Sequence, residues 1–562
     1  MKLATAVAFL FLQIFPCNCL KILHFVPGFS SSHLLFNYRL ANVTAASGHQ
    51  VVLWTSISTM LELRKSLKVS DSIREHRIDL RQKVATIKKI GTAIQDAAWH
   101  QLEMSKMRQF MTYMVKSLIE GCGIQLNEDE LIEQLQQEDF DLALLHSFDF
   151  CPIAIAYRIG IPPEKMAFLS PGTYITDIPA NLLQIPTNPS IVPALMLKHT
   201  DHMTFMQRVA NTLASLYGQV FMGNLSPAKA AVSKLFTQPP YDDLPDLTEL
   251  AQNTSALFVN GEQYLDFPRP LPYGVSFLSE FKNPKGAPKG KSSLSPKFQT
   301  IAEKESKGII LISFGTVANT STMPLRLARA ILEGAAQFPE YSVIWKFNAE
   351  DLPEISKHSN IYPVKWLPQR DLLQHKQTKL FVTHGGYNSL LETVKAGKPM
   401  ILCPLFGDQE PNAQRAIRYG LGLIADIKSD QFTGEHFAKL IRTVLENKRF
   451  ESNAEKLAGM LSERLISAEE ALSHRLIQLS KKHTRFPTLS RTHRLNLLQY
   501  YCIDVITFWL SLLAAIIAEL DIEPRLSRLS RSAKLCLRGA DEDRRRSSVV
   551  PPLPADGERA TR

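Results

Sequence analysis

Cysteine is scarce in this chain. There are seven in 562 residues, and two of them, Cys17 and Cys19, close the apolar amino-terminal stretch "MKLATAVAFLFLQIFPCNCLKIL". Removal of that stretch leaves Cys122, Cys151, Cys403, Cys502 and Cys536, an odd and sparse set that excludes a disulfide-built scaffold. Cys122 and Cys151 can pair in an oxidising compartment, which spacing alone does not decide. A dominant charge is missing too. Lys and Arg number 64 against 54 Asp and Glu, a net charge of +10, with local basic excess only in the segment 281–299 and in the carboxy-terminal tail. With no zinc-finger spacing, RNA-binding signature or interleaving of aromatic and basic residues, no nucleic-acid partner is expected. The carboxy-terminal apolar run, "VITFWLSLLAAIIA" from Val505 to Ala518, is 14 residues long, where a full membrane span takes about 20. Asp504 precedes it and Glu519, Asp521 and Glu523 follow, so lengthening it toward Tyr500 would bury a carboxylate. Residues 500–520 are therefore read either as a short or tilted membrane anchor or as an interfacial or core helix.

What is present is an ordinary globular balance, 45% hydrophobic and 21% charged, in a chain long enough for two or three domains. Lys2, the apolar run Ala4–Phe15 and small residues at Cys17 and Cys19 make residues 1–19 a secretory signal peptide, with a buried first strand as the plainer alternative. Sequons at Asn42, Asn253 and Asn319 are compatible with that route, although such tripeptides are common by chance; Asn224-Leu-Ser is weakened by Pro227.

Strand candidates "KILHFVP" and "HQVVLWT" flank a loop and a helix that stops at a glycine, a parallel βαβ unit. "FDLALLHSF" reads as a further buried strand, and the proline-punctuated segment from 175 to 250 as a partly helical insertion over a cleft. Residues 282–299 are a linker of Pro, Gly, Ser and Lys. Beyond it "KGIILISFGT", "YSVIWKF", "NIYPVKWLP", "TKLFVTHGG" and "KPMILCPL" alternate with helical stretches such as "MPLRLARAILEGAAQ". The expectation is an α/β protein of two doubly wound domains, 20–281 and 300–499, with mainly parallel sheets facing across a cleft and ligands at the carboxyl ends of the strands. The tail 521–562, rich in Arg, Ser and Pro, is expected to be disordered.

The chemistry concentrates in "FVTHGGYNSLLETVKAGKPMILCPLFGDQ", Phe381–Gln409. A strand that breaks at Gly385 and Gly386 and becomes a helix makes a phosphate cradle, because the helix start offers free N–H groups and the positive end of its dipole. His384, Asn388 and Ser389 add side-chain donors; Glu392, one turn on, suits the two hydroxyls of a ribose; Asp408 and Gln409 suit those of a sugar. Upstream, Trp366 offers a ring face for stacking and Gln369 an amide for a base edge. Each alone has a bland reading: a turn, a core aromatic, a satisfied histidine. Together they describe a planar base, a ribose, a diphosphate and a sugar.

This stretch resembles the signature of the UDP-glycosyltransferases, the family that includes the animal UDP-glucuronosyltransferases. The match runs from the aromatic-aliphatic-Thr-His-Gly-Gly start through Ser, the acidic residue and Pro-x-x-x-x-Pro to Asp-Gln, and the resemblance spans the chain from the signal peptide to Val505. It implies the GT-B fold, with the UDP-sugar on the second domain and the acceptor on the first. It further implies that Trp366 stacks on uracil, Gln369 contacts base or ribose, Glu392 holds the ribose, His384, Gly386, Asn388 and Ser389 bind the diphosphate, and Asp408 and Gln409 bind the sugar. Gly315 and Thr316, in "SFGT", resemble the family's Gly-Ser turn beneath the diphosphate.

Histidine titrates near operating pH and so suits removal of a proton from an acceptor hydroxyl. His33 lies in the first strand-to-helix loop, where it reads either as a helix cap or as a base; the resemblance implies a general base giving inversion by single displacement. Relatives pair that base with an Asp or Glu just after a strand. Here His146 takes the place and Asp149 follows three residues later as a substitute; a weakened pair would leave a slow enzyme or a UDP-sugar-binding protein. No metal is expected: Asp139 and Asp141 in "DFD" read as solvated strand-edge residues, and the helix start with His384 serves the leaving group. The resemblance implies no cofactor beyond the UDP-sugar co-substrate, which donates glucuronic acid or, alternatively, glucose to a small lipophilic hydroxyl. The expected location is the endoplasmic reticulum lumen, membrane-anchored, with secretion as the alternative; self-association is left open.

Overall fold

The computed structural model describes residues 19–28, 30–58, 69–101, 103–149, 151–172, 185, 188–195, 197–218, 244–279, 281, 294–304, 307–463, 465–481, 497–500, 502–519, 530–535 and 538. Residues 1–18 of the stretch read as a signal peptide, most of the linker and most of the tail lie outside these residues. The chain forms two compact units, dividing between Arg491 and Thr492.

The first unit holds two sheets. One comprises β1 (Lys21–Gly28), β2 (Gln50–Ile57), β3 (Arg74–Asp79), β4 (Leu142–His146), β5 (Met166–Ser170), β6 (Ala256–Asn260) and β7 (Val275–Leu278), in the spatial order β3-β2-β1-β4-β5-β6-β7. The other comprises β8 (Ile309–Ser313), β9 (Ser342–Lys346), β10 (Ile361–Val364), β11 (Thr378–Thr383), β12 (Met400–Leu402) and β13 (Gly422–Ile424), in the order β10-β9-β8-β11-β12-β13. All neighbouring strands are parallel. In each sheet the order reverses beside the first strand, between β1 and β4 and between β8 and β11, which opens a crevice at the carboxyl ends.

The central strands read as aliphatic runs because helices cover both sheet faces. The two-residue period of a strand splits their side chains between two layers. Leu23, Phe25, Trp54, Leu145 and Phe168 enter one core. Ile22, Leu142, Leu144, Leu169 and Phe258 enter the opposite one. That second core is completed from far along the chain by Leu472, Leu476 and Leu479 of the helix Ala468–Ser480. The helix is started by a capping box: Ser467 Oγ accepts from the Glu470 N–H and Glu470 Oε2 from the Ser467 N–H. The chain thus returns to the first domain after completing the second.

Cys122 and Cys151 form a disulfide joining the helices Met104–Leu126 and Cys151–Arg158. The end of the linker read as 282–299 is helical from Pro296, in the helix Pro296–Lys304. In the second unit the helix Ile503–Glu519 carries exposed Val505, Phe508, Trp509, Leu513 and Ile516. Among the described residues no helix is long and apolar enough to cross a membrane.

Candidate active site

The reversals place two helix starts in the crevice. After β1, Ser30 caps the helix Ser31–Ala46, its Oγ accepting from the His33 N–H at 3.3 Å. His33 therefore sits in the first turn, held by a backbone cap. After β11, Gly386 precedes the helix Tyr387–Lys395. The two helices share a cavity lined by Leu35, Phe36 and Arg39 from the first and Asn388, Leu391 and Glu392 from the second.

On the second domain three of the residues singled out by sequence are bonded together. Gln369 Nε2 donates to Ser389 Oγ at 3.1 Å and to Glu392 Oε2 at 2.7 Å. Trp366, two residues past β10, is 47% exposed. Lys346, at the end of β9, has its Nζ 5.7 Å from the Trp366 ring centroid and donates to the Gly315 carbonyl. Thr316 is exposed beside Gly315.

His384 is packed between two glycines. A Cβ would lie 2.6 Å from its Nε2 at Gly315, where φ is +80°, and 2.5 Å at Gly386. Burial, with the Lys346 charge adding to it, lowers its pKa to about 4, so the ring is neutral and able to donate one hydrogen bond. Asn388 Oδ1 accepts from Asn260 Nδ2 of the first domain at 2.9 Å.

Asp408 and Gln409 come together with Asn412, which sequence missed. Asn412 Nδ2 donates to Asp408 Oδ2 at 2.8 Å and to the Gly385 carbonyl at 3.0 Å, tying the two loops. The signal was its spacing of one helical turn from Asp408. Gln409 Oε1 accepts from the Leu405 and Phe406 N–H groups at 2.8 and 3.2 Å. Half of its amide therefore braces its own loop.

On the first domain His33 Nδ1 lies 3.2 Å from His146 Nε2, at the end of β4. The position beside the His33 ring is filled by His146. Asp149 Oδ1 accepts from the Cys151 N–H at 3.0 Å, at the start of the helix Cys151–Arg158. Asp141 Oδ2 accepts from the Lys21 N–H at 2.9 Å, which joins the "DFD" segment to β1. Asn37, one turn from His33, donates to the His33 carbonyl at 2.8 Å and bonds His24 Nε2 at 2.8 Å.

Burial lowers the pKa of His33 to about 3 and of His24 to about 4, and that of His146 well below 6.5, where the His33 and His24 charges add to burial. Burial pushes Asp149 up to about 6. These groups set a pH dependence of stability. The unfolded chain protonates its imidazoles near 6.5 while the fold keeps these neutral, so each costs stability as pH falls from 6.5 toward its folded value. Asp149 acts oppositely, losing stability as pH rises from 3.8 to about 6. Four imidazoles outweigh one carboxyl. The Tm is expected to be lower at about pH 5 than at about pH 7, and an unchanged or higher Tm would contradict the neutral buried rings.

A partly exposed indole, the bonded Gln369–Ser389–Glu392 set and a glycine-started helix thus stand on one domain, and a histidine in the first turn of a helix on the other. The chain matches the family model described as "UDP-glucoronosyl and UDP-glucosyl transferase" over residues 22–523. The chain belongs to that family. It is 34% identical over 518 residues to a provisionally named UDP-glucuronosyltransferase, ugt-60, of Caenorhabditis elegans, covering 89% of this chain and 97% of that one. To mouse UDP-glucuronosyltransferase 1A7 it is 28% identical over 428 residues, 75% of this chain and 77% of that one. Among solved structures, Phytolacca americana UGT2, complexed with UDP-2fluoro-glucose and pterostilbene, superposes with a TM-score of 0.54 at 14% identity, covering 82% of this chain and all of that one. With its two parallel-sheet domains, this family member has the GT-B fold.

Proposed function

We propose that the protein transfers a glycosyl group, glucuronic acid in first place, from a UDP-sugar to an oxygen of a small lipophilic acceptor, by a single inverting displacement with His33 at the acceptor oxygen. The observation that carries this reading is the cavity shared by the His33 helix and the Asn388–Glu392 helix. It sets Asn388 and Glu392 of the nucleotide set against Leu35, Phe36 and Arg39 of the helix whose first turn carries His33. Trp366, Gln369 and Glu392 take the uridine; His384, Gly386, Asn388, Ser389, Gly315, Thr316 and Lys346 take the diphosphate; Asp408 and Gln409 take the sugar. Glucuronic acid is favoured over glucose by the names of the relatives; Lys346 on the second domain and Arg39, which faces Glu392 from the first, are cations of the cleft. No cofactor enters. The protein works in the endoplasmic reticulum lumen, anchored through 500–520. Its release from membranes by alkaline carbonate would favour a secreted enzyme.

The test is UDP release with UDP-glucuronate and UDP-glucose side by side against a panel of aromatic acceptors. Acceptor-dependent release with one donor establishes transfer and settles the sugar. UDP binding without release supports a second reading, a UDP-sugar-binding protein with little turnover, for which the neutral His146 in the carboxylate position is the motive.

The diphosphate assignment makes its own prediction. In Gly386→Ala the new methyl meets the His384 ring, which Gly315 blocks from the other side. UDP affinity measured by calorimetry is expected to fall about tenfold or more, ~1.4 kcal/mol. Unchanged affinity would remove His384 from the site.

A further inference from the structure

The pair His33–His146 has a proton arrangement that a histidine–carboxylate pair does not. The Phe148 N–H points at His146 Nδ1 at 3.3 Å. An N–H donates only to an unprotonated ring nitrogen, so neutral His146 carries its proton on Nε2. That Nε2 lies 3.2 Å from His33 Nδ1, so His146 donates and His33 Nδ1 accepts. A neutral imidazole has one proton, and that of His33 is then on Nε2, the nitrogen across the ring from His146. A carboxylate beside Nδ1 does the reverse: it accepts the Nδ1 proton and leaves Nε2 with a lone pair for proton removal. The surroundings keep both rings neutral. His146 is fully buried, its titratable neighbours are His33 and His24, and burial lowers all three. The nearby carboxyl of Asp149 is turned to the Cys151 N–H.

We propose that the acceptor is a small lipophilic carboxylic acid taken as its carboxylate, and that His146 selects it by fixing the His33 proton on Nε2, where it donates to the acceptor instead of removing a proton. This rests on the transferase reading and narrows its acceptor. One carboxylate oxygen accepts the Nε2–H bond. The other attacks the anomeric carbon, the bond from that carbon to the β-phosphate oxygen breaks, and its electron pair leaves with UDP. The negative charge passes from acceptor to UDP and no proton has to move. A hydroxyl would arrive with its own proton facing an N–H, and its use would require both rings to exchange protons and the Phe148 bond to break.

The experiment uses the full-length protein in membranes with a matched pair of acceptors, 2-naphthoic acid and 2-naphthol, and either UDP-glucuronate or UDP-glucose. His146 is a positioning residue, so the readout is the ratio of the two rates and its pH profile. Wild type is expected to prefer the naphthoate by about tenfold or more, with a rate flat from about pH 6 to 8, since a carboxylate is already ionised there. In His146→Asp the Nδ1 proton gains an acceptor, and the preference is expected to shift about tenfold or more toward naphthol, with a rate rising with pH as His33 becomes a base. His146→Asn, whose amide oxygen accepts the same proton without a buried charge, should shift the ratio the same way and guards against misfolding of the aspartate variant. A wild-type preference for naphthol, or a ratio unmoved in both variants while UDP binding persists, overturns the proposal and leaves the transferase reading intact. UDP binding with no transfer to either acceptor by any of the three proteins overturns the transferase reading, and the proposal with it.

Discussion

Replacing His33 by alanine is expected to lower kcat/KM about 10²–10⁴-fold, the range for a side chain that handles a proton or a developing charge at the reacting atoms. UDP affinity is expected to stay at the wild-type value, because the nucleotide set stands on the other domain. The fold should tolerate the change: the helix Ser31–Ala46 is capped by Ser30 through the His33 backbone N–H, which alanine retains. The check is steady-state kinetics beside UDP calorimetry on the same preparation. A variant within about tenfold of wild type would take His33 out of the reaction. Wild-type kinetics would also remove the meaning of the His146 contact, since that contact acts only through His33.

The second large effect is structural. Asp266, in the segment between β6 and β7, bonds Arg415 of the helix Gln409–Arg418 through one oxygen, at 2.9 and 2.6 Å, with Arg269 at 3.5 Å from the other. All three side chains are almost wholly buried. Burial pushes the Asp266 carboxyl up, but the Arg415 and Arg269 charges and the hydrogen bonds from Arg415 and the Phe267 N–H hold it below the usual carboxylate range. Removing one partner of such a network leaves a buried charge uncompensated, at a cost of about 3–5 kcal/mol. Asp266→Ala is therefore expected to lower the urea midpoint sharply. It should also weaken UDP binding, because Arg415 shares its helix with Gln409 and Asn412 and bonds Asn412 Oδ1 at 3.3 Å. A loss below about 1 kcal/mol would place the pair with exposed salt bridges instead.

The strand end and glycine-started helix of the candidate site were legible because they are local. His384, Gly386, Asn388, Ser389 and Glu392 follow one another along a strand end and a single helix, so their spacing alone states the geometry. β1, β2, β4, β8, β9, β11 and β12 were legible as aliphatic runs. β3, "REHRID", was not: it is a charged edge strand. Nor was β13, three residues whose only side-chain signal is Leu423 and Ile424. The ties between domains had no sequence signal, since Asn260 meets Asn388 and the Glu262 N–H meets the Tyr387 hydroxyl across more than a hundred residues. The histidine in the carboxylate position was visible as a departure. What it does to His33 depends on a backbone N–H two residues on, which no residue pattern encodes. Gln409 shows the converse: its identity suggested a sugar ligand, and packing spends its carbonyl oxygen on the loop.

The helix Ala468–Ser480 gives the molecule a second fastening. Its leucines are buried against the first sheet, and Arg475 donates to the Tyr273 carbonyl. The donor-binding lobe is therefore stitched to its neighbour at both ends, like a drawer on two rails. Severing the backbone between Phe281 and Leu294 would leave two fragments, the carboxy-terminal one clasping the other through this helix. They should co-migrate on gel filtration and part only in denaturant. Any opening of the cleft must bend both connections at once, which restricts the two lobes to a narrow arc.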